Sequence, residues 1–108
     1  MKKKTPQELY RDFNKRYFAG KLPRVSIQWD ARLKGQARTW FDRNWRPKKM
    51  WINPDGQRRW QAVLAMTLFH EMCHISLVMG GDVHTDHGPT FQAAMQRLAA
   101  DGAFEEWW

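Results

Sequence analysis

The five residues His70-Glu71-Met72-Cys73-His74 constrain this chain more than any other stretch. On an α-helix, residues four apart lie on one face a turn apart, so two imidazoles there can converge on a single metal ion. Glu71 then stands about 100° round from His70 and can reach a water at that ion without ligating it. Together these residues spell H-E-x-x-H, the pattern of zinc hydrolases. The surroundings suit a helix. No Pro or Gly interrupts Trp60 to Met79, and Gly80-Gly81 follows as a stop. The competing reading is a buried helix whose histidines only satisfy backbone groups.

A hydrolytic zinc site takes three protein ligands and leaves a fourth position open, so one more ligand must come from elsewhere. Leu77 and Gly80 stand where a metzincin carries Gly and its last His, which excludes that spacing. Glu105 and Glu106 could serve a gluzincin arrangement, but they lie in a terminal tail expected to lack helical support. His87, in Asp86-His87-Gly88-Pro89-Thr90-Phe91, is the stronger candidate. Gly80-Gly81 lets the chain reverse, a short polar loop crosses, and His87 arrives just before a new helix with Gly88 as cap and Pro89 in its first turn. His84 competes from three residues earlier, against the simpler reading of a solvent-exposed loop histidine. Asp82 and Asp86 could ligate, or could orient a ligand histidine from behind. Cys73 reads as a small buried thiol.

The run Leu68-Phe69-His70-Glu71-Met72-Cys73-His74, followed by His87-Gly88-Pro89-Thr90-Phe91, resembles the core of the SprT-like (Spartan-type) zinc metalloproteases. Leu9-Tyr10-Arg11-Asp12-Phe13-Asn14 and Tyr17-Phe18-Ala19-Gly20-Lys21-Leu22-Pro23 resemble that family's opening helix and turn, so the similarity runs from about Leu9 to Leu98. The resemblance implies a zincin-like fold, Zn²⁺ on His70, His74 and His87, Glu71 as catalytic acid/base, and proteolysis of proteins bound or crosslinked to DNA. Many members append a cysteine-rich zinc ribbon or another DNA-binding tail. With one Cys, this sequence departs from that pattern.

A chain of 108 residues with 43% hydrophobic content and seven Trp is expected to form one domain over 1–108, with a basic tail at 1–4 and an aromatic tail at 103–108. Its core is small, so bound zinc would add stability as well as chemistry. A single cysteine excludes an intramolecular disulfide and fits a reducing compartment. No apolar run follows Met1-Lys2-Lys3-Lys4, and no stretch near 18 apolar residues reads as a membrane span; the expected location is cytoplasmic.

The net charge of +7 is unevenly spread. Residues 1–60 carry 17 of the 18 Lys and Arg against five acids, a balance of +12, whereas 61–108 carry only Arg97 against six acids, a balance of −5. A basic half joined to an acidic half suggests a polyanion partner for the first, in preference to a merely solvated basic surface. Within it, Arg38 to Trp51 interleaves five basic residues with four aromatics, the composition of a groove that binds nucleic acid by phosphate contact and base stacking. Arg38, Arg43, Arg46, Lys48 and Lys49 are the candidate phosphate contacts. Trp40 and Trp51 are expected to be buried, and Trp45, in the turn, to be exposed and stack.

The remaining pattern predicts an α+β fold. Thr5-Pro6-Gln7-Glu8 opens a helix as a capping box, and Leu9, Tyr10, Phe13, Tyr17 and Phe18 form its apolar stripe, with Gly20 as its end. Strands follow at Val25–Trp29, Gly35–Phe41 and Lys49–Asn53, in a small, mostly antiparallel sheet. The resemblance to zincin-like folds implies that the edge strand of such a sheet lies beside the metal helix and can hold an extended peptide. A helix over Gln57–Met79 carries the motif and buries Leu64, Leu68, Met72, Ile75 and Met79. The last helix, Pro89–Ala100, buries Phe91, Met95 and Leu98, and Phe104, Trp107 and Trp108 fold back onto the body or cap a groove. The function read from these residues is a zinc-dependent peptidase acting on protein substrates, with Glu71 moving the proton and Tyr10, Tyr17, His84 and Arg97 as candidate oxyanion donors. The alternatives are a nucleic-acid-binding module with a structural zinc and no protease activity, and a hydrolase of RNA or a small amide. Glu71 and the lack of Cys-rich coordination weigh against a structural site.

Overall fold

The capping box at the start of the chain forms as its spacing predicts. Glu8 N–H donates to Thr5 Oγ1 at 3.1 Å and Thr5 N–H donates to Glu8 Oε1 at 2.9 Å, which ties down two orphan donors at the start of α1 (Pro6–Tyr17). The computed structural model describes residues 3–82 and 87–107. After α1 come β1 (Ser26–Trp29), β2 (Ala37–Phe41), β3 (Pro47–Ile52), α2 (Gln61–Met79), α3 (Pro89–Ala100) and a 3₁₀ turn, Glu105–Trp107. This is the predicted α+β architecture.

The strands lie in the order β1-β3-β2, so β2 is an edge strand. β2 pairs antiparallel with β3, but β1 pairs parallel with it, and the expectation of a mostly antiparallel sheet is corrected. The tight turn at 42–46 closes β2 and β3 into a hairpin, and β1 takes the β3 edge of it, leaving the outer edge of β2 free. Side chains opposite one another across a sheet share a face. The register therefore puts Ile27, Trp29, Ala37, Thr39, Met50 and Ile52 on the inner face, and Ser26, Gln28, Arg38, Trp40, Lys49 and Trp51 on the outer one. A bulge between Trp40 and Phe41 leaves Lys48 as the extra residue, so Lys48 and Lys49 are both exposed.

This alternation overturns one expectation. Trp40 is 48% exposed and Trp51 half-buried, because Thr39 takes the inward position and its neighbours must face out. α2 also starts later than predicted. Gln57 is buried instead in a turn, where its amide donates to the carbonyls of Gln36 at 2.9 Å and Asn53 at 3.0 Å, pinning 54–57 to the sheet.

α2 is the central element. It packs against α1, β2, α3 and the 3₁₀ turn and buries Leu64, Leu68, Phe69, Met72, Cys73 and Ile75. Met79, expected in that stripe, is 47% exposed because the last turn runs past the core, and Val78 is buried in its place. Contrary to the sequence expectation, α2 is long and apolar enough, by length and composition, to cross a membrane. Its apolar surface is used inside the fold instead, as in a helix covered on several sides. Met95 of α3 is only partly buried, whereas Phe91 and Leu98 are buried as expected.

The described part of the aromatic tail folds back. Phe104 meets Phe69 edge-on at 5.5 Å, Trp107 meets Phe13 at 6.0 Å, and Phe13 stacks on Phe69 at 4.2 Å. Trp108 lies outside the described residues. Phe69 thus joins α1, α2 and the tail beside the first motif histidine. Phe69→Ala is expected to cost about 3–5 kcal/mol of unfolding free energy, measured by urea denaturation, the usual range for emptying a buried aromatic site.

Candidate metal centre

His70 and His74 project from one face of α2, a turn apart, as their spacing predicts. His87 stands one residue before Gly88, the N-cap of α3, with Pro89 in the first turn. The chain therefore holds it at a helix start. Gln92, one turn in, donates its amide to the His87 carbonyl at 3.1 Å and ties it down further.

The three Nε2 atoms form a small triangle: His70 to His87 3.0 Å, His74 to His87 3.2 Å and His70 to His74 3.3 Å. Nitrogens about 2.0–2.1 Å from a tetrahedral ion lie roughly 3.3 Å from one another, so the spacing fits a transition-metal ion. His70, His74 and His87 are the group of side chains that could hold an ion among the described residues. Three imidazoles suit zinc, copper, iron or nickel, and the donor set alone does not choose between them.

Electrostatics favour the form a metal needs. Burial, and then the charge of His87, holds His70 below the ordinary histidine range. Burial, then the charges of His70 and His87, pushes His74 down to about 4. Both rings therefore present lone pairs at neutral pH. His74 Nδ1 is buried without a hydrogen-bond partner among the described residues. Asp82 is half-buried and outside the group of three; Asp86 and His84 lie outside the described residues.

Two residues that pattern reading missed complete the arrangement. Thr39 of β2 donates its hydroxyl to Glu71 Oε1 at 2.9 Å. Burial raises the Glu71 carboxyl above the usual range, while the Thr39 hydrogen bond and the nearby His87 charge oppose that rise. Phe91, assigned only to the core, also backs all three imidazoles, with ring centroids 4.9 Å from His70, 4.5 Å from His74 and 4.9 Å from His87. Its position four residues after His87 was a visible signal. Thr39 gave none, since nothing in a strand of alternating character names the helix residue it meets.

Other candidates are engaged elsewhere. The Tyr10 hydroxyl donates to the Pro23 carbonyl at 2.7 Å, and its burial raises its pKa to about 12. Tyr17 packs on Phe13 and Phe69. Arg97 is exposed in the last turn of α3. Glu105 and Glu106, expected in an unsupported tail, sit in the 3₁₀ turn, where Glu106 pairs with Arg16 at 3.0 Å. Cys73 is buried and free, as predicted, its thiol pushed up to about 12 by burial.

The profile of the SprT-like family matches residues 6–106, nearly the whole chain. The chain belongs to the SprT-like family. Among curated proteins the chain finds no match. The SprT-like fold is zincin-like and of metalloprotease type, and the three histidines positioned for a metal agree with it.

The basic candidates are all on the surface. Arg38, Arg43, Arg46, Lys48 and Lys49 are exposed, and Trp45 is 49% exposed at φ 59°. Asp42 shapes this turn by accepting from the N–H groups of Asn44 at 2.8 Å and Arg46 at 3.0 Å, and it lies 3.8 Å from the Lys48 ammonium.

Metal binding should be readable as stability. Because the His74 pKa falls from 6.5 to about 4 on folding, the unfolded chain binds more protons in that window. The metal-free chain is therefore expected to melt lower as pH drops from about 6.5 toward 4. Adding Zn²⁺ should raise the midpoint at pH 7.5 and raise it less at pH 5, where protons compete for the rings. His87→Ala should reduce the zinc-dependent shift, all by thermal denaturation.

Proposed function

We propose that the chain is a zinc-dependent peptidase that cleaves DNA-bound or DNA-crosslinked proteins, with zinc on His70, His74 and His87. The observation that carries the peptidase reading is the Glu71 carboxylate, held by Thr39 of the edge strand beside three converging imidazoles. A purely structural site has no use for that carboxylate.

β2 offers the peptide a place to lie. Asn53 N–H donates to the Gln36 carbonyl at 2.9 Å, so residues 36, 38 and 40 bond toward β3 and the N–H and C=O groups of Ala37 and Thr39 point to the free edge. An extended chain added there would run beside Glu71. When bound, the zinc ion supplies Lewis acidity toward the peptide carbonyl and acidifies water. Thr39 fixes Glu71 through Oε1, which leaves Oε2 to accept a proton from the attacking water. Burial makes the carboxylate a stronger base than an exposed one. The water oxygen bonds to the carbonyl carbon, the C–N bond breaks, and Glu71 delivers its proton to the leaving amine.

The nucleic-acid part of the reading rests on surface chemistry. Arg38 and Lys49 share the outer sheet face with Trp40 and Trp51, and the turn beside them carries Arg43, Trp45 and Arg46. Cations interleaved with exposed indoles suit a single strand, with each base stack worth ~1–3 kcal/mol.

Glu71→Gln is expected to retain zinc, by metal analysis, and to lose cleavage of a casein or DNA-binding-protein substrate. Thr39→Val should lower kcat more than it raises KM. Full peptidase activity in Glu71→Gln would contradict the mechanism. For the second part, Trp45→Ala should weaken binding of a labelled single-stranded oligonucleotide by about tenfold in fluorescence anisotropy, in line with one lost stack. Arg43→Ala should flatten the salt dependence.

A further inference from the structure

A groove of ≈ 380 Å³ runs between α1 and the segment leading into β1, and it shares no lining residue with the metal site. Its inner wall is already bonded to backbone. The Gln7 amide donates to the Val25 carbonyl at 2.8 Å and accepts from the Ile27 N–H at 3.0 Å. Asn14 treats Leu22 the same way, donating to its carbonyl at 2.9 Å and accepting from its N–H at 3.1 Å. The Tyr10 proton is engaged by the Pro23 carbonyl, and with a pKa of about 12 the phenol carries no charge at neutral pH. These bonds use both amide oxygens but only one of the two N–H groups on each amide nitrogen. What the groove has left to offer is donors.

Arg11 and Arg24 add two exposed guanidinium forks to the same lining. Among the described residues neither guanidinium makes an ion pair or a hydrogen bond. No acid lines the groove, and Asp12, next to Arg11 in sequence, is held by Lys4 at 2.6 Å. Two cations without a counter-ion, beside unused N–H groups, match an anionic group with several acceptor oxygens.

We propose that this groove holds a backbone phosphate of a single nucleic-acid strand and anchors it beyond the outer face of the sheet. The inference rests on the nucleic-acid reading above and adds where the strand goes. Exposure alternates from Arg24 through Ser26 to Gln28, with Val25 buried between, so Arg24 continues the outer row of β1. Ser26 pairs with Lys49 and the two strands run the same way, which sets Arg24 toward the Pro47 end of β3. Arg43, Trp45 and Arg46 form the turn at that end. A strand stacked there continues past the edge of β1 toward Arg24 and Arg11.

The test is fluorescence anisotropy across a salt series with a labelled single strand of about twelve nucleotides, longer than one small surface covers. Arg11→Gln/Arg24→Gln is expected to weaken binding about tenfold and to make the slope of log K against log salt shallower by about 1.4, two contacts at ~0.7 each. Arg32→Gln/Lys34→Gln removes the same charge at the opposite end of β1 and should cost about twofold or less, because distant attraction is screened. Equal weakening by the two pairs overturns the proposal. So does an unchanged affinity in the Arg11/Arg24 pair while Trp45→Ala still weakens binding, and that result leaves the reading above standing. A second arm keeps the two apart: the Arg11 and Arg24 Nε–H signals are followed by NMR during titration with a thymidine dinucleotide, which carries one phosphodiester. A saturable shift of both upholds the groove even if no longer strand is bound, which would sink the reading above instead. No shift, or tighter saturation by a capped Gly/Ser peptide carrying one Glu, overturns the proposal, the latter in favour of an acidic protein segment.

Discussion

A helix covered by other elements strips water from any polar group it carries, and α2 carries three of them within five residues. That desolvation is what the rest of the arrangement answers. It keeps His70 and His74 neutral, so their nitrogens are available to a cation, and it makes the Glu71 carboxyl a better base. Polar groups drawn out of water need partners. Glu71 finds one in Thr39, and the imidazoles find a common focus with His87. The same burial that stabilises the fold through Leu68, Phe69 and Met72 therefore also sets the protonation states at the site.

Two elements deliver that result from outside the helix. α3 contributes Phe91, and His87 stands just before its N-cap, so a ligand and the ring behind all three ligands come from one short stretch of chain. β2 contributes Thr39. Neither needs a long flexible reach, because both positions sit at or within regular structure. The 3₁₀ turn closes the far side, where Trp107 touches Phe13 and also lines the cavity next to His70.

Much of this was legible in the chain. The motif helix, the capping box at Thr5 and the Gly88-Pro89 helix start are local signals, and each appears where its chemistry requires. His87 could be favoured over His84 only because a helix start is readable from a few residues. What could not be read is long-range. Alternation in β2 gives two faces but not which one meets the core, so Trp40 was expected inside and stands outside. The parallel pairing of β1 depends on which of the hairpin's two edges it joins, and no residue in β1 encodes that. The later start of α2 follows from Gln57 bonding to the Gln36 carbonyl just ahead of β2, 21 residues away, a partner that periodicity cannot name.

The pleat of β2 ties two surfaces together. Its inward Thr39 meets Glu71, and its even-numbered residues, Arg38 and Trp40, face solvent with Lys49 and Trp51. One inserted residue ahead of Thr39 would exchange these roles, turning an indole toward Glu71 and a hydroxyl toward bulk water. Insertions in this segment are thus tolerable only in pairs or in the flanking turns, and the two sides of the sheet must diversify by substitution and never by shift.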